Sequence, residues 1–213
     1  MLRKINENTY VIGDTHLFHN NIIKYEPLRR KYLEEGAPSH EDWLIDRWNS
    51  VVRETDLVLH LGDFAFKPHL YAEYALFMNG KKILIIGNHD AKDISVYKDL
   101  FEFVISDGTV WIVRDNQITY LKTHHRLANG IVKTIGEYKI LFSHYPIYPP
   151  EGEVSPVTEE LKKVFEKLNC NLNIHGHIHS KELNNPLLIN ASVEKIDFKP
   201  VKIKELIDRV RKR

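Results

Sequence analysis

The sequence predicts an α/β fold in which short buried strands alternate with amphipathic helices. Several apolar runs stop abruptly at glycine and polar side chains, as Ile83–Gly87 does before Asn88 and His89, and such runs are typical of strands covered on both faces. Apolar residues at helical spacing lie between these runs. The chain has 213 residues, enough for one substantial core and hardly enough for two, so we expect a single domain over residues 1–213.

The first half of the chain contains three strand predictions and two helix predictions. The strands are predicted at Thr9–Gly13, Leu57–Leu61 and Ile83–Gly87. A helix is predicted over Ser39–Val52, because Ser39 is a suitable N-cap residue and Asp42 follows it three residues later. A second helix is predicted over Tyr71–Met78, where the pair Asn79-Gly80 can end it.

The second half is richer in β-structure. A hairpin is predicted from Thr109–Arg114 and Gln117–Lys122 around Asp115-Asn116, and a further turn at Asn129-Gly130. Further strands are predicted at Tyr138–Phe142, Asn171–Ile174 and Leu187–Ala191, and a helix at Val157–Leu168. The tail is predicted to be an amphipathic helix whose apolar residues are Ile203, Leu206, Ile207 and Val210.

Composition and charge are those of an ordinary globular protein, with 43% hydrophobic and 28% charged residues. The net charge of +1 gives no general attraction to nucleic acids, although residues 199–213 carry seven Lys or Arg against two acidic residues. The single cysteine fits a reducing compartment, and the amino terminus has no apolar signal core. No apolar stretch approaches the ~20 residues that span a membrane. We therefore expect a cytoplasmic protein with no membrane partner.

The strand candidates share one feature, since their carboxyl ends carry residues that can bind metal ions. These residues are Asp14, His16, Asp63, Asn88, His89, His144, His177 and His179. In an extended segment, residues i and i+2 project to the same side, so Asp14 and His16 can reach one point, as can His177 and His179. Imidazoles combined with carboxylate or amide oxygens favour Mn, Fe, Zn or Ni over Ca or Mg. A set of this size exceeds the needs of one ion and suits two ions ~3.5–4 Å apart.

Each of these elements is common by chance when it occurs alone, but together and in this order they resemble the calcineurin-like metallophosphoesterases. The matching motifs are Asp14-Thr15-His16, Gly62-Asp63, Gly87-Asn88-His89-Asp90, His144 and Gly176-His177-Ile178-His179. The resemblance covers residues 14–179, which is most of the chain. It implies a four-layer αββα sandwich with a binuclear metal site between the ends of the two sheets.

The resemblance also implies a role for each motif residue. The ligands implied for the first ion are Asp14, His16 and His179, and those for the second are Asn88, His144 and His177. Asp63 would bridge the two divalent transition-metal ions, with manganese expected first and Fe, Ni or Zn as alternatives. His89 is not a ligand in the family and would stabilise the transition state or protonate the leaving oxygen during in-line attack by a metal-bridging hydroxide. For Asp90, an orienting role and a helix N-cap both remain open.

Three further residues are candidates for substrate binding, namely His19, His124 and Arg126. His19 follows the first ligands closely enough to reach a substrate, with a loop-capping role as the alternative. His124 and Arg126 belong to a compact cationic cluster that could meet a phosphate, although an exposed strand edge explains the cluster equally well. His60, two residues before Gly62, is a candidate for supporting a ligand.

The sequence restricts the substrate less than it restricts the site. Protein serine/threonine phosphatases of this superfamily carry Gly-Asp-x-x-Asp-Arg-Gly, whereas Asp63 is followed here by Phe64-Ala65-Phe66-Lys67-Pro68, which argues against that activity. The short chain leaves no room for a large cap, so we expect a small phosphodiester or nucleotide as substrate, with phosphomonoesterase activity as the alternative. Two competing hypotheses are a catalytically silent scaffold, as in a retromer subunit, and a nucleic-acid-processing protein that uses the basic tail. A packed tail helix with a solvated basic face is favoured over the latter.

Overall fold

The computed structural model describes residues 1–115 and 117–211, and these form two β-sheets that pack face to face between outer helices. In chain order the strands are β1 (Tyr10–Ile12), β2 (Leu57–His60), β3 (Lys81–Ile85), β4 (Phe103–Ile105), β5 (Thr109–Arg114), β6 (Gln117–Lys122), β7 (Gly130–Ile135), β8 (Tyr138–Ser143), β9 (Leu172–His175), β10 (Leu188–Asn190) and β11 (Val201–Lys202). The first sheet has the order β11-β1-β2-β3-β4, and the second has the order β10-β9-β8-β7-β5-β6.

Within the described residues, six α-helices and several 3-10 helices complete the fold. The α-helices are α1 (Ile22–Tyr25), α2 (Lys31–Glu34), α3 (His40–Asn49), α4 (Pro68–Tyr71), α5 (Pro156–Lys167) and α6 (Ile203–Arg211). The 3-10 helices are Leu2–Lys4, Pro27–Arg30, Ala72–Phe77, Ile94–Tyr97 and Val193–Lys195. None of the described helices is long and apolar enough to cross a membrane.

The alternation of side chains along β8 explains the layering. Ile140 and Phe142 join the core between the two sheets, whereas Leu141 joins a second core on the opposite face of its sheet. That second core is covered by α5, which buries residues such as Leu161 and Phe165. On the far side of the first sheet, the α3 residue Trp48 is buried and reaches the carbonyl of Asn79. The expected four-layer αββα sandwich is therefore confirmed.

The parallel pairing of strands decides where the site lies. β1, β2, β3 and β4 run parallel to one another in the first sheet, and β8, β9 and β10 do so in the second. Parallel strands bring their carboxyl ends to the same edge of a sheet, where open α/β sheets bind ligands. The loops after β1, β2, β3, β8 and β9 therefore converge, and these loops carry the predicted metal-binding residues.

Several boundaries differ from the sequence predictions for identifiable reasons. The predicted strand Ile83–Gly87 begins two residues earlier, because the buried Lys82 folds its ammonium group back onto the carbonyls of Met78 and Gly80. It also ends earlier, at Ile85. The Tyr71–Met78 segment is divided between α4 and a 3-10 helix, and α3 ends at Asn49 rather than Val52.

The turn predicted at Asn129-Gly130 lies a few residues earlier, because the chain reverses between β6 and β7 in the segment 123–129. Gly130 is the first residue of β7, and the buried Asn129 side chain accepts a hydrogen bond from the Thr109 amide. A separate reversal, between β7 and β8, lies at Gly136, whose φ of 60° is the left-handed conformation that glycine adopts without strain. The β5–β6 hairpin is confirmed, although Asn116 lies outside the described residues. The amphipathic tail helix is confirmed as α6.

Candidate metal centre

The converging loops bring the predicted ligands into two groups. One group contains Asp14, His16 and His179, and the other contains Asp63, His144 and His177; within each group, the candidate ligand atoms all lie within 4.8 Å of one another. Four of these six residues are buried and the other two, His177 and His179, are half-buried, which indicates a site built into the protein rather than a surface cluster of charges. The grouping separates His177 from His179, so the prediction that both reach one point is wrong.

Asp63 lies between the two groups. Its Oδ2 atom is 3.4 Å from Nε2 of His16 and also 3.4 Å from Nε2 of His144. Asn88 joins the second group, because its Oδ1 atom lies 3.0 Å from Nε2 of His144. A carboxylate with two usable oxygens in this position is suited to contact two ions at once.

The backbone of the ligand loops is left-handed at several ligands rather than extended. Positive φ angles occur at Asp14 (59°), His16 (48°), Asp63 (55°), His177 (73°) and His179 (51°). Residues other than glycine rarely adopt this conformation, and it concentrates at functional sites that the surrounding structure can hold in place. Asp14 and His16 therefore meet as predicted, but not because the segment is extended. Left-handed backbone conformations at alternate residues, rather than a pleated strand, direct these two side chains toward the same point.

Two glycines let the carboxylates approach the neighbouring backbone. A Cβ atom built on Gly87 would overlap Oδ1 of Asp63, and one built on Gly176 would overlap Oδ2 of Asp14. These positions therefore require glycine because of close approach and not because of their φ angles. Each glycine precedes motif ligands, which explains why the motifs contain it.

The donor set fits divalent transition ions. Imidazole nitrogens are combined with two carboxylates and one amide oxygen, a mixture that suits Mn, Fe, Ni or Zn better than the all-oxygen shells of Ca or Mg. In addition, Nε2 of His16 is buried and has no hydrogen-bond partner within the protein, although it points toward the Asp63 carboxylate. Such an orphaned nitrogen is costly unless it binds something. These residues therefore fit the metal centre that the family resemblance implies.

The charges of the site favour protonation of His144 in the metal-free protein. Burial alone would raise the pKa of Asp63, but His144 and His16 hold it well below its ordinary value. Burial alone would lower the pKa of His144, but the Asp63 carboxylate outweighs it and raises this pKa to about 9. Burial lowers the pKa of His177 to about 3. At neutral pH, His144 is therefore protonated while His177 is neutral.

Metal binding is expected to displace the proton of His144. Since a protonated imidazole cannot ligate, the affinity for the second ion should rise about tenfold per pH unit between pH 6.5 and 8.5 and level off above about pH 9. Titration calorimetry in buffers of different ionisation enthalpy measures this proton release directly. A His144→Asn variant should release about one proton fewer, whereas His177→Asn should leave the release unchanged. An affinity that does not depend on pH would contradict this account.

Asp90 ties two of the ligand loops together. Its carboxylate accepts hydrogen bonds from the backbone amides of Asp63 (2.8 Å), Phe64 (3.0 Å) and Gly87 (2.8 Å) and from the Tyr97 hydroxyl (3.1 Å). Burial and the nearby Asp63 charge raise the pKa of Asp90 to about 6. Of the two roles left open by the sequence, these contacts favour the orienting role, because the carboxylate fixes the loops after β2 and β3.

A buried ion pair that no sequence pattern predicted lies beneath the first group. Arg29 is fully buried, and its guanidinium donates to the carbonyls of Asp14 (2.6 Å) and Thr15 (2.9 Å) and to Oε1 of Glu194 (2.7 Å). The same Glu194 oxygen lies 3.2 Å from Nδ1 of His179. A carboxylate behind a metal-binding histidine fixes its ring and its tautomer. No local sequence motif indicates this ion pair, because Arg29 and Glu194 lie far apart in the chain.

Tyr145 is a second missed residue. Its hydroxyl donates to Oδ1 of Asn88 at 3.1 Å, and its ring lies 4.2 Å from that of His177. Burial raises the pKa of Tyr145, so the hydroxyl keeps its proton and remains a donor. The only sequence signal for this role is its position directly after His144.

The remaining predicted residues occupy different surroundings. His89 is exposed; its ring lies 5.0 Å from that of His16, and its amide donates to Oδ1 of Asp63. His19 lies beside His16 and His89 at ring distances of 5.3 and 5.9 Å. His60 hydrogen-bonds through Nε2 to the Thr15 hydroxyl at 3.0 Å, which agrees with its predicted supporting position.

His124 and Arg126 lie in different parts of the structure. His124 lies at the junction of β6 and α5, where its amide donates to Glu160, and it lines a groove with Lys163 and Lys167. Arg126 is exposed in the loop that Asn129 ties to the carbonyl of Ile86, next to the Asn88 loop. The structure therefore brings Arg126 toward the second group and leaves His124 beside α5.

Comparison with known proteins matches both the motifs and the fold. A family model described as calcineurin-like phosphoesterase matches residues 8–181. A solved structure of a protein of unknown function from Aquifex aeolicus is 31% identical, with 95% of this chain and 98% of that chain covered and a TM-score of 0.69. An uncharacterized protein from Methanocaldococcus jannaschii is 28% identical, covering 99% of this chain and 93% of that protein. The gene 66 protein of Mycobacterium phage L5 is 26% identical, covering 88% of this chain and 83% of that protein.

Proposed function

This chain belongs to the calcineurin-like phosphoesterase family, and we propose that it is a binuclear metal-dependent phosphodiesterase that hydrolyses a small phosphodiester or nucleotide. The observation that carries the proposal is the position of Asp63, whose carboxylate lies 3.4 Å from a histidine of each ligand group while His89 stands beside the first group. A phosphomonoesterase remains the alternative. We further propose that it acts in the cytoplasm, which the single buried cysteine supports.

The proposed metal assignment follows the two groups. Asp14, His16 and His179 would hold one ion and Asn88, His144 and His177 the other, with Asp63 shared and manganese as the first choice of metal. When bound, a pair of divalent ions supplies activation of water and neutralisation of charge on the phosphoryl group. Asn88 contributes a neutral oxygen, which limits the negative charge of a site that must attract a phosphate.

The chain's own residues would then orient the substrate and supply a proton. His89 is exposed at the mouth of the site, where it would donate a proton to the leaving oxygen. Burial, together with the neighbouring His16 and His89, lowers the pKa of His19 to about 4, so His19 would contact substrate as a neutral group. Arg126 would contact a phosphate from the opposite side.

The open site supports a diester over a phosphoprotein. The segment after Asp63 has neither the second aspartate nor the arginine of the protein phosphatases. Asn88 and His89 are both exposed, so one ester group of a small diester could occupy the site while the other extends into solvent. An open site of this kind favours diester over monoester hydrolysis.

Removing His89 is expected to reduce diester turnover by about 10²- to 10⁴-fold, the usual contribution of general acid catalysis. The test uses metal-free protein supplied separately with Mn, Fe, Ni, Zn or Mg and assayed on bis-p-nitrophenyl phosphate and p-nitrophenyl phosphate. His89→Ala should lose turnover while it retains its bound metal, and His69→Ala, a change at another exposed histidine, should behave as the wild type. Faster hydrolysis of the monoester p-nitrophenyl phosphate would indicate that the protein is a phosphatase instead. If the protein binds two ions but hydrolyses neither compound, the result would instead favour a catalytically silent protein scaffold.

A further inference from the structure

A strip of aromatic side chains extends from the candidate metal centre to the protein surface. We call it the aromatic strip, and its members are Phe18, Phe66, Tyr71, Tyr74 and Phe77. The Phe18 ring stacks on Tyr71 with centroids 4.0 Å apart and meets Tyr74 edge-on at 4.4 Å. Tyr74 in turn meets Phe77 at 5.5 Å. The rings of Phe18, Tyr71, Tyr74 and Phe77 therefore form a continuous series of contacts, and Phe66 lies beside them against His19.

The strip starts at the residues that would act on the substrate. Phe18 stands between His16 and His19 in the chain, and Phe66 stacks on His19 with centroids 4.6 Å apart and an interplanar angle of 11°. The Phe66 amide donates to the carbonyl of Leu17 at 2.7 Å, which joins the two segments beside the centre. A ligand whose phosphate lies at the two ligand groups therefore has aromatic rings within reach.

The far end of the strip is unusually exposed for apolar side chains. Phe77 is 63% exposed, and its neighbours Leu76 and Leu70 are 67% and 57% exposed. Phe66, Tyr71 and Tyr74 are half-buried, whereas rings that serve only the core, such as Phe142, are fully buried. Exposed apolar surface of this kind is typical of a ligand-binding or interaction surface.

We propose, on the basis of the proposed function, that the substrate is a nucleobase-bearing phosphodiester and that its base stacks on the aromatic strip. Every nucleobase has a flat π-face that stacks on aromatic side chains with little dependence on sequence. The exposed Lys67, whose Nζ atom lies 5.9 Å from the Phe66 ring, adds a positive charge that can pair with a second phosphate. The combination of flat rings, one cation and an adjoining phosphate-binding centre matches a nucleotide better than an apolar peptide.

The test compares two diesters that share one leaving group. Thymidine 5′-(p-nitrophenyl phosphate) carries a base, whereas methyl p-nitrophenyl phosphate does not. The wild type should show a kcat/KM at least about tenfold higher for the thymidine ester, mainly through a lower KM. Phe66→Leu and Phe77→Ala should each lower this preference, and Phe77→Ala, at the far end of the strip, should leave turnover of the methyl ester unchanged. Tyr120→Ala, a change at an aromatic residue 56% exposed on β6, is the matched control and should keep the preference.

The outcomes separate this inference from the proposed function. If the methyl ester is hydrolysed but the wild type shows no preference for the base, the inference is overturned and the phosphodiesterase remains. If neither ester is hydrolysed, the proposed function fails, and fluorescence anisotropy of a fluorescein-labelled thymidine trinucleotide then tests the strip alone. Binding that weakens at least fivefold in both strip variants supports the inference, and binding that is equal in all variants overturns it. Dissociation of a dimer by Phe77→Ala, with the base preference intact, would instead assign the strip to self-association.

Discussion

An Asp63→Asn variant is expected to lose about a hundred- to a thousandfold in diester turnover and to bind fewer than two ions per chain. The Asp63 carboxylate lies 3.4 Å from His16 and from His144, and its second oxygen accepts the amide hydrogen of His89. An amide keeps one acceptor oxygen but replaces the other with a donor, which cannot bind a cation. The variant therefore keeps the shape of the residue and removes its ability to contact two ions.

This prediction is measured as kcat together with the metal content of the desalted protein. Asp99→Asn is the matched control, since Asp99 is exposed and has a φ of 68°, close to the 55° of Asp63. Both substitutions keep a residue that tolerates the left-handed region, so backbone strain cannot explain a difference between them. Full activity of Asp63→Asn with two bound ions would exclude a bridging role for this carboxylate.

An Arg29→Met variant is expected to destabilise the metal-free protein by about 3–5 kcal/mol. The substitution leaves the buried Glu194 carboxylate without its cation and the carbonyls of Asp14 and Thr15 without a donor. Burial alone would raise the pKa of Glu194, but Arg29 and His179 lower it to about 2. The ion pair therefore contributes its full stability above about pH 4.5, and this contribution is lost as the pH falls through about 2.

Urea unfolding at pH 7 measures this effect. Arg30→Met changes the adjacent, exposed arginine and should alter the free energy of unfolding by less than about 0.5 kcal/mol. A double variant that also carries Glu194→Met should regain part of the lost stability, because it no longer buries an unpaired charge. It should still bind the first ion more weakly, since His179 has lost the carboxylate that orients it. Unfolding of Arg29→Met at the same urea concentration as the wild type would show that the ion pair contributes nothing to stability.

The ligand positions were predictable because each motif is local and ends a strand that the apolar pattern identifies. The loops after β1, β2, β3, β8 and β9 each hold their ligands within a few residues, so parallel pairing gathers them at one edge of each sheet and the packing of the two sheets joins the two sets. The conformation of these loops was not predictable from alternation, since Asp14 and His16 adopt left-handed angles that no side-chain period encodes. The separation of His177 from His179 has the same cause.

The missed features depend on contacts between distant parts of the chain. Arg29 and Glu194 become a pair only after the segment before α2 packs beside the loop that follows β10. β7 was missed because the pair Asn129-Gly130 is typical of a turn, yet the Asn129 side chain is used to hold the Thr109 amide. At these positions, tertiary hydrogen bonds therefore determine the structure and override the local conformational propensity of the sequence.

The most direct test of the central claim is a titration of metal-free protein with Mn²⁺, in which bound metal and hydrolysis of bis-p-nitrophenyl phosphate are measured on the same samples. The two ligand groups around Asp63 predict that turnover rises until two ions are bound per chain and then stops rising, with His89→Ala binding the same two ions at low activity. Full turnover with one ion per chain would contradict the binuclear centre. Two bound ions with no turnover in the wild type would contradict the phosphodiesterase itself.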